Sequence, residues 1–172
     1  MKPVFVFSAL LCGLASFGQQ PASTSSVAAT AHACSNPAAI QIAQQMIDTW
    51  KAAYNGGDAA RVAALYTDDA DYLTQHFVTG VVHGRAQIQA YVQRGVDARF
   101  HIDSIQILSV GCVPDLIYVV DRYESTNAGQ KAMGVNLVVA RRTPAGWRIV
   151  AHEAAVPDPA TAVQHLDVPS AH

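Results

Sequence analysis

Between Trp50 and Ala70 the chain reads WKAAYNGGDAARVAALYTDDA, and this stretch constrains the fold more than any other. Asn55-Gly56-Gly57 offers the positive-φ stop that ends a helix. Asp58 follows at once with a side-chain oxygen placed to cap a second, short helix. Upstream, Ala39, Ala43, Met46, Ile47, Trp50, Ala53 and Tyr54 recur at helical spacing and give the first helix one apolar face. Asn36 then Pro37 form its start, a capping side chain before a proline at the first helical position. Val62, Leu65 and Tyr66 are the expected buried face of the short helix. The Asp68-Asp69 corner leads into a strand, where acidic residues serve turns.

The rest alternates. Ala70–His76 has a strand pattern with Tyr72, Thr74 and His76 on one face. Val78–His83 is a second extended piece, and a third helix is expected over Arg85–Val96 with Ile88, Tyr91 and Val92 buried. Phe100–Val110, Leu116–Ser125, Lys131–Arg142 and Trp147–Val156 read as strands. The first of these changes phase near Ser104, which predicts a bulge. Asn127-Ala128-Gly129 and Pro144-Ala145-Gly146 mark hairpin turns. Helices first and antiparallel strands after predict an α+β fold, with helices on one face of an antiparallel sheet.

Both ends differ from this body. Lys2 and the apolar run Val4–Phe17 read as a secretory signal peptide over residues 1–18, too short for the roughly 20 residues of a spanning helix. Residues 19–35, rich in Ser, Thr, Ala and Gln, are expected to be a flexible arm. The domain proper is expected over 36–156, and 157–172 is a Pro-, Ala- and Asp-rich tail. The reading is therefore a secreted or periplasmic protein without a stable membrane anchor. Once Cys12 leaves with the leader, Cys34 and Cys112 remain, an even number in an oxidising compartment, and a bridge between them is one reading. Two unpaired thiols are the other.

Composition excludes several classes. The formal net charge is −2 with scattered arginines, which argues against nucleic acid. His76, His83, His101 and His152 lack any spacing that preorganises a metal shell, so no metal is expected. Gly80, Gly84 and Gly95 form no phosphate loop, no nucleotide or flavin motif occurs, and no Gly-x-Ser-x-Gly elbow is present. No cofactor is expected.

The NGGD turn, the YTDDA corner, Gly84-Arg85-Ala86-Gln87-Ile88 and Gly146-Trp147-Arg148-Ile149-Val150 resemble, in this order and spacing, the nuclear transport factor 2-like superfamily. The resemblance spans about 36–156 and is strongest to its SnoaL-like branch, including secreted domains of unknown function. It implies a cone-shaped α+β barrel, with three N-terminal helices packed on a strongly curved antiparallel sheet. It also implies a pocket between helices and sheet, and a homodimer through the convex sheet face.

Ketosteroid isomerase, a member of that superfamily and a known case of acid–base tuning, needs a carboxylate base and an oxyanion hole of a tyrosine and a protonated aspartic acid. Aligned on the shared motifs, Trp50 stands at the tyrosine, Thr74 at the base and Val138 near the second donor. Threonine is no base near pH 7, so that isomerisation is not expected. The same alignment turns Tyr72, Thr74 and His76 inward. Alternation along the last strand groups Trp147, Ile149, Ala151 and Glu153, and the resemblance places Glu153 in the cavity. Glu153 and His76 are therefore the candidate acid–base residues. Trp50, Tyr54, Tyr72, Thr74 and Asn136 are the candidate ligand contacts. Asp121 shares a face with Tyr123, and Arg122 with Glu124; both pairs read as interface or solvated sets.

The functional expectation is an exported domain binding a small apolar or carbonyl-containing molecule. Two alternatives stand beside it: a cofactor-free isomerase, lyase or cyclase, and a structural domain whose pocket is filled by its own side chains.

Overall fold

The structure is a computed structural model and describes residues 36–75 and 79–155. Helix α1 spans Pro37–Asn55, and the Asn36 side chain caps it by accepting from the Ala38 N–H at 3.0 Å. It ends at the glycine pair, where Gly57 takes φ +77°. Asp58 accepts from the Arg61 N–H at 2.8 Å and opens the one-turn helix α2, Ala59–Ala63. Strands β1 (Tyr66–Thr74) and β2 (Val81–His83) precede helix α3 (Arg85–Asp97). Strands β3 (His101–Val113), β4 (Leu116–Asn127), β5 (Gln130–Thr143) and β6 (Gly146–Ala155) complete the described fold.

The six strands form one sheet in the order β2-β1-β6-β5-β4-β3. It is mixed rather than antiparallel, because β1 lies parallel to β6. A parallel pair needs a long crossover, and here α3 and the strands that follow it provide one. The third helix is also not N-terminal; it sits between β2 and β3. Tyr66, expected on the second helix, instead begins β1, and its ring is fully buried all the same. The bulge near Ser104 is present as a register shift between Ile102 and Ser104.

All described residues fall in one compact unit. Helix α1 packs on β3, and α3 packs on α2 and β1. Tyr66, Ile88, Ile117, Ile149 and Val62 are among the largest fully buried side chains of the described core. The expected leader, the expected arm with Cys34, His76, and the expected tail lie outside the described residues.

Candidate functional site

Alternate residues of β4 face the helices, and their character changes along the strand. Ile117 and Val119 are 1% and 0% exposed and close the core. The next inward position is Asp121, then Tyr123 and Ser125, and here packing gives way to a cavity of about 450 Å3. Successive inward rows are ~6.8 Å apart. One row joins Val119, Val138, His152 and Tyr72 across four strands. The row nearer the mouth joins Asp121, Asn136 and Ala154.

Five aromatic rings supply much of the wall: Trp50 and Tyr54 from α1, Tyr72 from β1, Tyr91 from α3 and Tyr123 from β4. Trp50 and Tyr54, one helical turn apart, stack with centroids 5.0 Å apart. Gly95 on α3 leaves room for the Tyr54 hydroxyl, which a Cβ there would strike. Burial pushes the Tyr54 phenol up to about 12, helped by Tyr91 and Tyr123 nearby. Phe100 and Arg94 are exposed wall residues, and the Arg94 guanidinium lies 5.5 Å from the Tyr91 ring centroid.

At the inner end three side chains form a hydrogen-bonded chain. Trp50 Nε1–H donates to the Tyr66 hydroxyl at 3.0 Å, and that hydroxyl lies 2.7 Å from His152 Nδ1. Indole is a donor only, so Tyr66 accepts from Trp50 and passes its own proton toward Nδ1. This network assigns the ring proton of His152 to Nε2. His152 is 4% exposed, and burial holds it neutral by lowering its pKa to about 3. Its Nε2 has no hydrogen-bond partner among the described residues.

One row outward, Asn136 Nδ2–H donates to Asp121 Oδ1 at 2.7 Å. Asp121 is 1% exposed, and burial pushes its carboxyl up to about 6 although the Asn136 bond pulls the other way. Among the described residues the carboxyl takes this one hydrogen bond and pairs with no cation.

The structure sorts the sequence candidates. Trp50, Tyr54, Tyr72 and Asn136 line the cavity. Thr74 is buried outside its wall, with Oγ1 3.2 Å from the Tyr91 hydroxyl. His76 lies outside the described residues. Glu153 does not point inward; it is exposed beside a shallow depression with Leu73 and Gln75. The cause is a bulge: Ala140 pairs with Ile149 but Val139 pairs with Ala151, leaving Val150 as the extra residue. Past that point the alternation of β6 reverses, so His152 and Ala154 face the cavity in place of Ala151 and Glu153. Asp121 and Tyr123, read as an interface or solvated pair, are cavity residues too. The like-facing pattern was visible; the side on which it fell was not.

Solved structures share this architecture. An NTF2-like protein with a cystatin-like fold from Novosphingobium aromaticivorans superposes with a TM-score of 0.59 at 22% identity, over 74% of this chain and 90% of that one. A ketosteroid isomerase-like protein from Erwinia carotovora atroseptica gives 0.62 at 20%, over 72% and 99%. A domain of unknown function from Nostoc punctiforme gives 0.63 at 18%, over 71% and 79%. At such identities the likeness is one of fold. Among curated proteins none matches the chain. The sequence itself matches the SnoaL-like domain over residues 43–159. That match spans more than half of the chain, and the NTF2-like α+β architecture agrees with it: the chain belongs to the SnoaL-like domain family.

Proposed function

We propose that this chain is an exported small-molecule-binding protein whose ligand occupies the aromatic cavity between helices and sheet. The observation that carries the reading is Asp121, a buried carboxyl in that wall with a single hydrogen bond. Buried polar groups are normally satisfied, and a ligand in the cavity completes this one. A volume of about 450 Å3 lies in the usual range for small-molecule sites, roughly 300–1,000 Å3. The reading of export rests on the leader-like residues 1–18.

A second reading is favoured by the raised pKa of the same carboxyl. A group that titrates near 6 suits proton transfer at neutral pH. In that case the protein is a cofactor-free isomerase, lyase or cyclase. Asp121 then takes a proton beside a carbonyl, and the Tyr54 hydroxyl or the Asn136 amide meets the developing oxygen charge.

Two further assignments accompany the first reading. Cys112 is disulfide-bonded, and once Cys12 leaves with the leader Cys34 is the remaining cysteine of the sequence, which supports a Cys34–Cys112 bridge in the mature chain. Leu116, Tyr118, Met133, Val135 and Leu137 are exposed on the sheet face away from the cavity, which supports a homodimer through that face.

Native mass spectrometry of the mature protein from its own host tests these together. The expected spectrum is a dimer carrying a small molecule that denaturation releases. A bare monomer that takes up no added apolar ligand contradicts both binding and assembly.

A further inference from the structure

Asp121 and the rings around it specify more than an apolar guest. The carboxyl is 1% exposed, Asn136 occupies only Oδ1, and no described cation lies in ion-pair range. Trp50, Tyr54, Tyr72, Tyr91 and Tyr123 line the same cavity. A buried carboxylate is costly unless a positive group pairs with it. Aromatic faces attract cations through the ring quadrupole, most strongly where water is excluded. Resting on the reading of the cavity as a ligand site, we infer that its ligand is an apolar molecule bearing one protonated amine, with the ammonium seated on Asp121 among these rings.

The other charged or titratable groups facing the cavity fit this assignment. His152, one row inward, is buried and neutral, with Nδ1 held by Tyr66, so it brings no competing positive charge near pH 7. Tyr54 and Tyr123 are pushed upward by burial and stay neutral. Among the described residues Arg94 is the cation of the wall; it is exposed, with its guanidinium over the Tyr91 ring. Burial and the Asn136 bond account for the titration of Asp121, and Arg94 does not contribute to it. Phenols and a guanidinium do not change charge between pH 5 and 7.5, so among the described residues Asp121 is the wall group that titrates in that window.

The sign of the pH dependence separates the ligand classes. An ammonium ligand needs the carboxylate, so its affinity falls as pH drops through about 6. A carbonyl ligand accepts from the protonated acid, so its affinity rises instead. The test uses the full chain and two matched pairs, 2-phenylethylamine with 2-phenylethanol and 2-(1-naphthyl)ethylamine with 2-(1-naphthyl)ethanol. Affinities are measured by calorimetry at pH 7.5 and pH 5.0.

Each amine should bind at least about tenfold more tightly than its alcohol at pH 7.5. That ratio should shrink about tenfold at pH 5.0, and Asp121→Asn should abolish it at both pH values. The pH comparison uses the unaltered protein, so the test holds if the variant does not fold. Alcohols that bind as well as the amines, or more tightly at pH 5.0, overturn the amine assignment and leave the cavity a ligand site. No binding by any of the four compounds overturns both.

Discussion

The Tyr66 hydroxyl and His152 Nδ1 lie 2.7 Å apart in the core, 86 residues apart in sequence, and their contact fixes the inner end of the cavity. Trp50 on α1 reaches the same hydroxyl, so one phenol joins the first helix, the first strand and the last. Burial holds His152 neutral, and the bond sets which ring nitrogen carries its proton.

Tyr66→Phe keeps the ring and removes the link. It leaves Trp50 Nε1–H and His152 Nδ1 without their partner in the interior, where each unsatisfied group costs about 1–3 kcal/mol. Urea unfolding should show a loss of about 2–4 kcal/mol. Tyr72→Phe is the control: Tyr72 is also buried, but no described residue hydrogen-bonds its hydroxyl. That change should cost less than about 1 kcal/mol. Equal losses for the two would show that the link contributes nothing beyond the ring.

The Asp121 carboxyl gives stability a definite pH signature. Its folded pKa of about 6 stands above the ordinary aspartate value of 3.8, so between those values the native state holds more protons than the unfolded chain. Stability from this group is therefore fully present below pH ~4 and falls as pH rises to about 6. Asp121→Asn removes the charge and keeps a partner for Asn136. It should stabilise the unliganded protein by about 1–3 kcal/mol at pH 7.5 and leave it nearly unchanged at pH 4. His152, with its pKa lowered to about 3, acts in the opposite sense as pH falls below 6.5. Comparing variant with parent at each pH cancels that contribution. A gain of equal size at both pH values would show that the charge is not the cause.

The Cys34–Cys112 bridge predicts no reactive thiol in mature protein denatured without reductant. Two thiols per chain by colorimetric titration would end that assignment. One thiol would indicate pairing between chains or with another molecule.

The helices and the wall of α1 were legible because local chemistry specifies them. Asn36, Gly57 and Asp58 each perform the capping or stopping role that their type suggests, and the face carrying Trp50 and Tyr54 is the one that meets the cavity. Asp121 was legible in principle. The turn at Ala128-Gly129, with both residues at positive φ, pairs Asn127 with Gln130 and, counted back without a bulge, Asp121 with Asn136. The uninterrupted register of that hairpin sets a carboxyl and an amide opposite each other. His152 was not legible. Alternation from Ile149 points Glu153 inward, and only the extra residue at Val150, set by pairing across the sheet, reverses it. The parallel pairing of β1 with β6 is likewise a tertiary choice that joins distant segments.

If the cavity is a ligand site, closing its mouth blocks binding. Ala132 lines the cavity from an exposed position on β5, so Ala132→Trp fills the entrance at little cost to the core. Fluorescence titration with the neutral probe 6-propionyl-2-dimethylaminonaphthalene compares this variant with the parent. A ligand site should show saturable binding at one site per parent chain, with a blue-shifted emission, and at least about a tenfold loss in the variant. Binding of equal strength in both proteins, or no saturable binding in the parent, would contradict it.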